Sequence, residues 1–340
     1  MAHLIDETTG KAAIAWTHKA PWHGLGKQLE PGQGMDVWAR EAGLDYQVLR
    51  SPVVYMNNTS LLQQEMAGRD VLYRSDTGAA LSVVGKGYHI VQPAEILDFF
   101  ARLSDIGGFE LEVAGALSDG KRVWGLAKVN DGGSVIGHDV VRPYVLFATS
   151  YDLSMATIAK LTAIRVVCNN TITMAVGRGI EGAGKTESDT ENQAVSSLVR
   201  IPHCNKIDMD DIRMRLGIVA DVYERWLVQT RIMAEQEMTK TAAESFVFNL
   251  IKSVTPAPAP GRKLPDVRDT NSYKRILGLF NGDLIGADLT GGDNRWSMLN
   301  SVTEFVDHER GKSDDGRLSG AWFGVGDAMK NKAYSMLTSV

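Results

Sequence analysis

The stretch from Phe109 to Val129 constrains the fold more than any other. Phe109, Leu111 and Val113 alternate with acidic residues, Ser118-Asp119-Gly120 supplies a turn, and Val123, Gly125 and Ala127 resume the alternation. Side chains that repeat every second residue line one face of an extended strand, so this pattern dictates an antiparallel hairpin. A chain that contains such a hairpin must build a sheet around it.

The flanking sequence supplies further strands. Val53 to Met56, Val71 to Tyr73 and Leu81 to Val84 are short β-branched or aromatic runs, separated by turn residues at Asn57-Asn58, Gly68 and Asp76-Thr77-Gly78. They predict a meander. After Pro93, residues Ile96, Leu97, Phe100 and Leu103 fall at helical spacing, which predicts a short amphipathic helix over 94–103. Tyr144 to Ser150 and Ala156 to Val167 read as paired strands with Asp152 near their turn, and Asn169 to Val176 fits either a continuing strand or the first turns of a helix, with the helix favoured. Gly177 to Gln193 has no apolar period and reads as an exposed loop.

From Asp208 the pattern becomes helical. Ile212, Leu216, Val219, Tyr223, Trp226 and Val228 keep an apolar stripe to about Glu237, and Thr241 to Glu244 has the form of a capping box opening a second helix. The tract from Thr255 to Gly261 alternates Pro and Ala and cannot continue a helix. Beyond it, helices are predicted near 272–280, 294–308 and 325–337. The expected class is α+β: antiparallel β-hairpins or a meander with a packed helix, a β-β-β-α-like core, plus a C-terminal helical region. The corresponding segments are a core over 1–200, assigned to nucleic-acid binding, two helices over 201–254, a Pro/Ala-rich linker over 255–265 and a helical segment over 266–340.

Composition narrows the function classes. Hydrophobic residues at 44% and charged residues at 23% suit a folded domain rather than a disordered chain. No apolar run approaches the roughly 20 residues that span a bilayer, and acids near the N-terminus replace the cations of a secretory signal, so a cytoplasmic location is expected. Cys168 and Cys204 lie outside any Cys-x-x-Cys arrangement. The net charge of −5 is unevenly spread: residues 121–180 hold seven Lys/Arg against three acids, a local balance of +4 that leaves −9 elsewhere. An acidic protein can therefore carry one basic face.

Gly179 to Thr186 fits the letters of a phosphate-binding P-loop, yet the acidic, polar segment that follows opposes a buried helix facing phosphate. Asp208, Asp210 and Asp211 suit a helix start as well as a Mg²⁺ site. His203-Cys204, and His18 with His23, lack the partners of a zinc site. Pro21 to Gly26 combines an indole with two glycines and could dock a subunit or a base, or seal a turn. Trp296, Trp322 and Phe323 read as core. The basic stretch interleaves cations, aromatics and amides: Lys121, Arg122, Arg142, Tyr144, Tyr151, Lys160, Arg165, Asn169, Asn170 and Arg178. That mixture suits a phosphate backbone with stacked bases, and a solvated sheet edge would show it too.

Several blocks resemble the phage- and plasmid-like proteins that carry domain of unknown function 932. They are Pro21 to Gly26, Gly87 to Pro93, Tyr144 to Asp152, Ile164 to Thr171, Asn300 to Asp307 and Ala321 to Gly324. The family commonly has Asp-Gly-Ser where this chain has Asp152-Leu153-Ser154. The resemblance implies companionship with recombination genes, and the order of hairpins and helix resembles, at fold level only, ring-forming single-strand annealing proteins. The leading expectation is thus a non-enzymatic, cofactor-free homo-oligomer, a ring or filament. It would bind single-stranded DNA and promote annealing of complementary strands without ATP, with a phage or plasmid exonuclease as a further expected partner. Lys121, Arg122, Arg142, Lys160, Arg165 and Arg178 would meet phosphates, Asn169 and Asn170 sugars or base edges, and Tyr144 or Tyr151 would stack. The alternatives are a nucleotide-binding enzyme using Gly179 to Thr186, and an interaction protein that inhibits a host defence factor.

Overall fold

The computed structural model describes residues 5–18, 24–59, 61–105, 109–165, 170–173, 198–204, 212, 220–255, 265–311, 320–322 and 324–339. The motif at 179–186, the acids at 208–211, Trp22, His23, Cys168, Asn169, Arg178, Phe323 and the tract at 256–264 lie outside these residues.

The hairpin that anchors the sequence is the centre of the structure. Strand β6 (Glu110–Leu117) pairs antiparallel with β7 (Arg122–Lys128), and β7 with β9 (Asp139–Ser150). Strand β10 (Thr157–Arg165) adds to β9, and β11 (Asn170–Thr173) and β12 (Leu198–Ile201) share the outer edge of β10. On the other side β6 pairs with β1 (Ile14–Trp16), which holds β2 (Lys27–Gln28) in parallel, and β8 (Gly133–Ile136) pairs with β9. Among the described residues these make one sheet of nine strands. The helix expected after Asn169 is a strand at Asn170–Thr173: pairing with the edge of β10 overrides the weak local helical pattern.

A second sheet, β3 (Val48–Asn57), β4 (Leu62–Arg74) and β5 (Ala80–Gly85), corrects another expectation. Gly68 does not turn the chain. It lies inside β4 at φ +75°, within a bulge where the register steps from Pro52 opposite Asp70 to Val54 opposite Glu65. The left-handed backbone that glycine tolerates lets β4 run on beyond the core as a projecting arm.

Each face of the large sheet is covered. Helix α2 (Pro93–Asp105) lays Ile96, Leu97, Phe99, Phe100 and Leu103 against one face, with Phe99 stacked on Phe147 at 4.6 Å. Gly125 is required there, since a Cβ would stand 2.4 Å from the Phe100 ring. Helix α1 (Met35–Glu41) adds Trp38 to the same core. The opposite face is lined by Ile14, Leu117, Trp124, Leu126, Tyr144, Leu146 and Ile158.

The remaining helices are α3 (Ala220–Glu235), α4 (Lys240–Val254), α5 (Asn271–Gly278), α6 (Arg295–Glu304) and α7 (Val325–Thr338). The cap of α4 is Thr239, whose hydroxyl accepts from the Ala242 amide, two residues before the expected box. Asn294 and Ser297 form a reciprocal capping box that starts α6. This helical part packs on the sheet: Tyr223 donates to the Val141 carbonyl at 2.8 Å, and Trp226 meets Trp296 edge to face.

The turn between β9 and β10 carries a local strain. Asp152 accepts from the Ser154 amide at 3.0 Å, and Leu153, largely exposed, sits at φ +62°, in the left-handed region that favours glycine. The left-handed conformation costs a β-carbon residue about 1–2 kcal/mol. Leu153→Gly is expected to stabilise the fold by about 0.5–1 kcal/mol, allowing for glycine's greater unfolded freedom, and to raise the urea midpoint. A lower midpoint would show that the leucine side chain makes a stabilising contact that outweighs the strain.

Candidate functional site

Strand parity decides where the sequence-predicted site residues point. On β9 and β10, Arg142, Tyr144 and Lys160 share the face that bears Trp124 and Leu126, and register pairs Lys160 with Leu146 and Ile164 with Arg142. Arg165, five residues from Lys160, points to the opposite face. Tyr151 is fully buried on that opposite side, donating to the Val91 carbonyl at 2.8 Å, and is unavailable for stacking. Lys121 lies in the β6–β7 turn, and Arg122 donates to Ser154 Oγ at 3.0 Å. Arg122 stands opposite Ser150, eight residues along β9 from Arg142, which separates them by about 27 Å. Asn170 is placed only as a strand residue in β11.

Two of the six cations proposed for phosphate are internal. Arg165 is fully buried: its Nε donates to Asp139 Oδ1 at 2.7 Å, and its two terminal nitrogens donate to the Ile285 and Gly286 carbonyls at 2.8 Å each. Trp296 Nε1 donates to the other Asp139 oxygen at 2.8 Å. Lys160, also buried, pairs with Asp327 of α7, and Lys330 one turn later pairs with Asp307 at 2.8 Å. Burial lowers the Lys160 ammonium below its ordinary range, with the Asp327 charge opposing and Lys330 adding to the shift. A small cleft opens here between Leu126, Leu146, Thr162 and Trp322. Its two lysines meet two carboxylates, so it offers no excess positive charge to a phosphate.

The polar end of the same face is balanced as well. His18 Nε2 lies 3.1 Å from Glu110, and Lys128 reaches Glu110 at 3.3 Å, Asp131 at 3.2 Å and Glu112 at 4.0 Å. Tyr144 donates to Glu112 at 2.8 Å. His18, Glu110 and Glu112 bring their ligating atoms within 4.8 Å of one another, a spacing a divalent metal could use. The Lys128 ammonium already supplies the cation. Burial alone would lower its affinity for the proton, and hydrogen bonds to Asp131 and Glu110 outweigh that and raise it.

The structure also bares a surface that the sequence did not announce. Val54, Tyr55, Met56, Leu61, Leu62 and Met66, on the β3–β4 arm, are six of the twelve large exposed hydrophobics among the described residues. Half of the bared apolar side chains thus fall within thirteen residues, where chance scatter would spread them over the molecule. Consecutive exposed positions mean that both faces of the arm meet solvent.

The family model described as Domain of unknown function (DUF932) matches residues 80–332. The chain belongs to this family. No curated protein and no solved structure matches the chain. The matched region takes in strands β6 to β12 and the residues of the Arg165 and Lys160 ion pairs, whereas the apolar arm precedes it. No helix among the described residues is long and apolar enough to cross a membrane.

Removing the Arg165 charge should leave Asp139 buried without a cation, so Arg165→Met is expected to cost about 3–5 kcal/mol in urea unfolding. Arg122→Ala, on a half-exposed side chain, should change stability by less than about 0.5 kcal/mol. Equal effects would contradict a structural role for Arg165. The buried phenols give a second check. Burial pushes Tyr223 up to about 12, and pushes Tyr144 above its ordinary range with help from Glu112 and against Arg142. A group that holds its proton more tightly when folded stabilises the fold fully below its unfolded value, about 10 for tyrosine, and loses that contribution as pH rises toward the folded value. Unfolding free energy should therefore fall from pH 10 to pH 12, and a flat profile there would contradict it.

Proposed function

We propose that this protein works by docking another protein chain, with the β3–β4 arm as the docking element. The observation that carries the reading is the concentration of bared apolar side chains on a two-stranded arm whose edges are open. In the three-stranded sheet β3 is an outer strand, and β5 pairs with β4 only from Arg69 to Tyr73, leaving Leu62 to Gly68 uncovered on that side. Open strand edges offer unpaired N–H and C=O groups that an incoming strand can complete, and flanking apolar side chains add burial. A core role does not account for the arm, because its side chains meet solvent on both faces.

The strand-annealing expectation needs cations gathered on one surface. Of its described cations, Lys121, Arg122 and Arg142 are the ones not held in a buried ion pair. Three phosphate contacts would give single-strand binding a log–log salt slope of about −2, and affinity that fades toward physiological salt. A gel-shift titration showing a slope of about −4 or steeper, as six phosphate contacts would give, would restore the annealing reading over the docking one.

The docking reading has its own test. Replacing residues 54–66 by a two-residue turn should shift the thermal midpoint by less than about 2 °C, since a loss of 1 kcal/mol moves a chain of this length by about 1.5 °C. A fall of 10 °C or more would assign the arm to the fold and remove its proposed role.

A further inference from the structure

We infer that the chain seated on the arm is a second copy of this protein, joined edge to edge through β3 about a two-fold axis. The inference rests on the docking reading above and names its partner.

The root of the β3 edge is already closed. The Gln92 side chain accepts from the Val48 amide at 2.9 Å and donates to the Val48 carbonyl at 3.0 Å, as a neighbouring strand would. Arg50 then caps the Lys86 carbonyl at 3.0 Å. From Ser51 to Met56 no strand pairs with that side among the described residues. Pro52 removes one donor there, so pairing would be carried by Val53 to Asn57.

Charge selects the partner. From Ser51 to Asn57 the edge reads Ser-Pro-Val-Val-Tyr-Met-Asn, with no ionisable acid or base beyond the phenol. Glu65 is the one charged side chain of residues 53–67, and it lies on β4, away from the β3 edge. A basic or acidic partner would find nothing to complement. A second copy finds an identical neutral edge, which escapes the like-charge repulsion expected between two chains of net charge −5. Pairing the same edge with itself is antiparallel and self-complementary, and it closes at two copies. The result is a continuous six-stranded sheet in which Val54 and Met56 of each copy, which share one face, cover one another, while Tyr55 does so on the other. Gln64 Oε1 accepts from Tyr55 Oη at 2.9 Å and from Asn57 Nδ2 at 3.1 Å, and Asn57 Oδ1 accepts from the Thr59 amide at 2.9 Å, so these polar groups bond within the arm.

Two opposite double variants test the pairing: Val54→Lys with Met56→Lys, and Val54→Glu with Met56→Glu. Both side chains are about half exposed or more, at 51% and 61%, so neither pair of changes should disturb the fold, which near-ultraviolet circular dichroism checks. In sedimentation equilibrium the unmodified chain is expected at twice the monomer mass. Each double variant alone should dissociate about a hundredfold more readily, and an equimolar mixture of the two should recover the dimer. A monomeric unmodified chain at tens of micromolar would overturn self-pairing while leaving the arm-shortening result to judge docking of some other chain. Assemblies larger than two, or a mixture that stays monomeric, would overturn the two-fold pairing of β3.

Discussion

The salt bridge between Arg165 and Asp139 is the contact on which the arrangement of the molecule depends. It joins the end of β10 to the start of β9, reaches the carbonyls at 285 and 286, and shares Asp139 with Trp296 of α6. In an interior of low dielectric, a charge without such partners would be costly enough to open the structure. Every hydrogen-bonding direction of the pair that the contacts describe ends on a protein atom. The sheet and the helices beyond residue 266 are therefore one packed unit. Lys160 with Asp327, and Lys330 with Asp307, hold α7 in the same way. These pairs take Lys160 and Arg165 out of the basic stretch and into internal structure.

Much of the fold was legible. The alternation around Ser118 to Gly120 gave β6 and β7, and the spacing of Ile96, Leu97, Phe100 and Leu103 gave α2, because one buried face imposes a period on the sequence. Gly68 was misread because a glycine with left-handed backbone serves a bulge as well as a turn. Asn170 to Thr173 was misread because its strand character comes from the β10 edge, which lies elsewhere in the chain.

The candidate site was less legible, for two physical reasons. Lys160 and Arg165 are an odd number of residues apart on one strand, so they cannot face the same way. That signal was present in the sequence. Their neutralising partners, Asp327 and Asp139, were not readable, since pairing across 167 and 26 residues depends on tertiary packing. The arm was hidden for the opposite reason. Val53 to Met56 is a continuous apolar run of the kind that usually marks a buried strand, and only the structure shows it standing in solvent.

What remains facing outward is then an apolar arm with an uncharged β3 edge, on a frame that pairs Arg165 and Lys160 inside. In the proposed reading this frame is closed and the arm is open for another chain. Amide hydrogen exchange measured across a dilution series tests both halves at once. The account predicts that β9, β10 and α6 exchange slowly at every concentration, while amides at 53–57 exchange fast in dilute solution and slow down as the protein is concentrated. Fast exchange in β10 and α6, or arm amides indifferent to concentration, would contradict it.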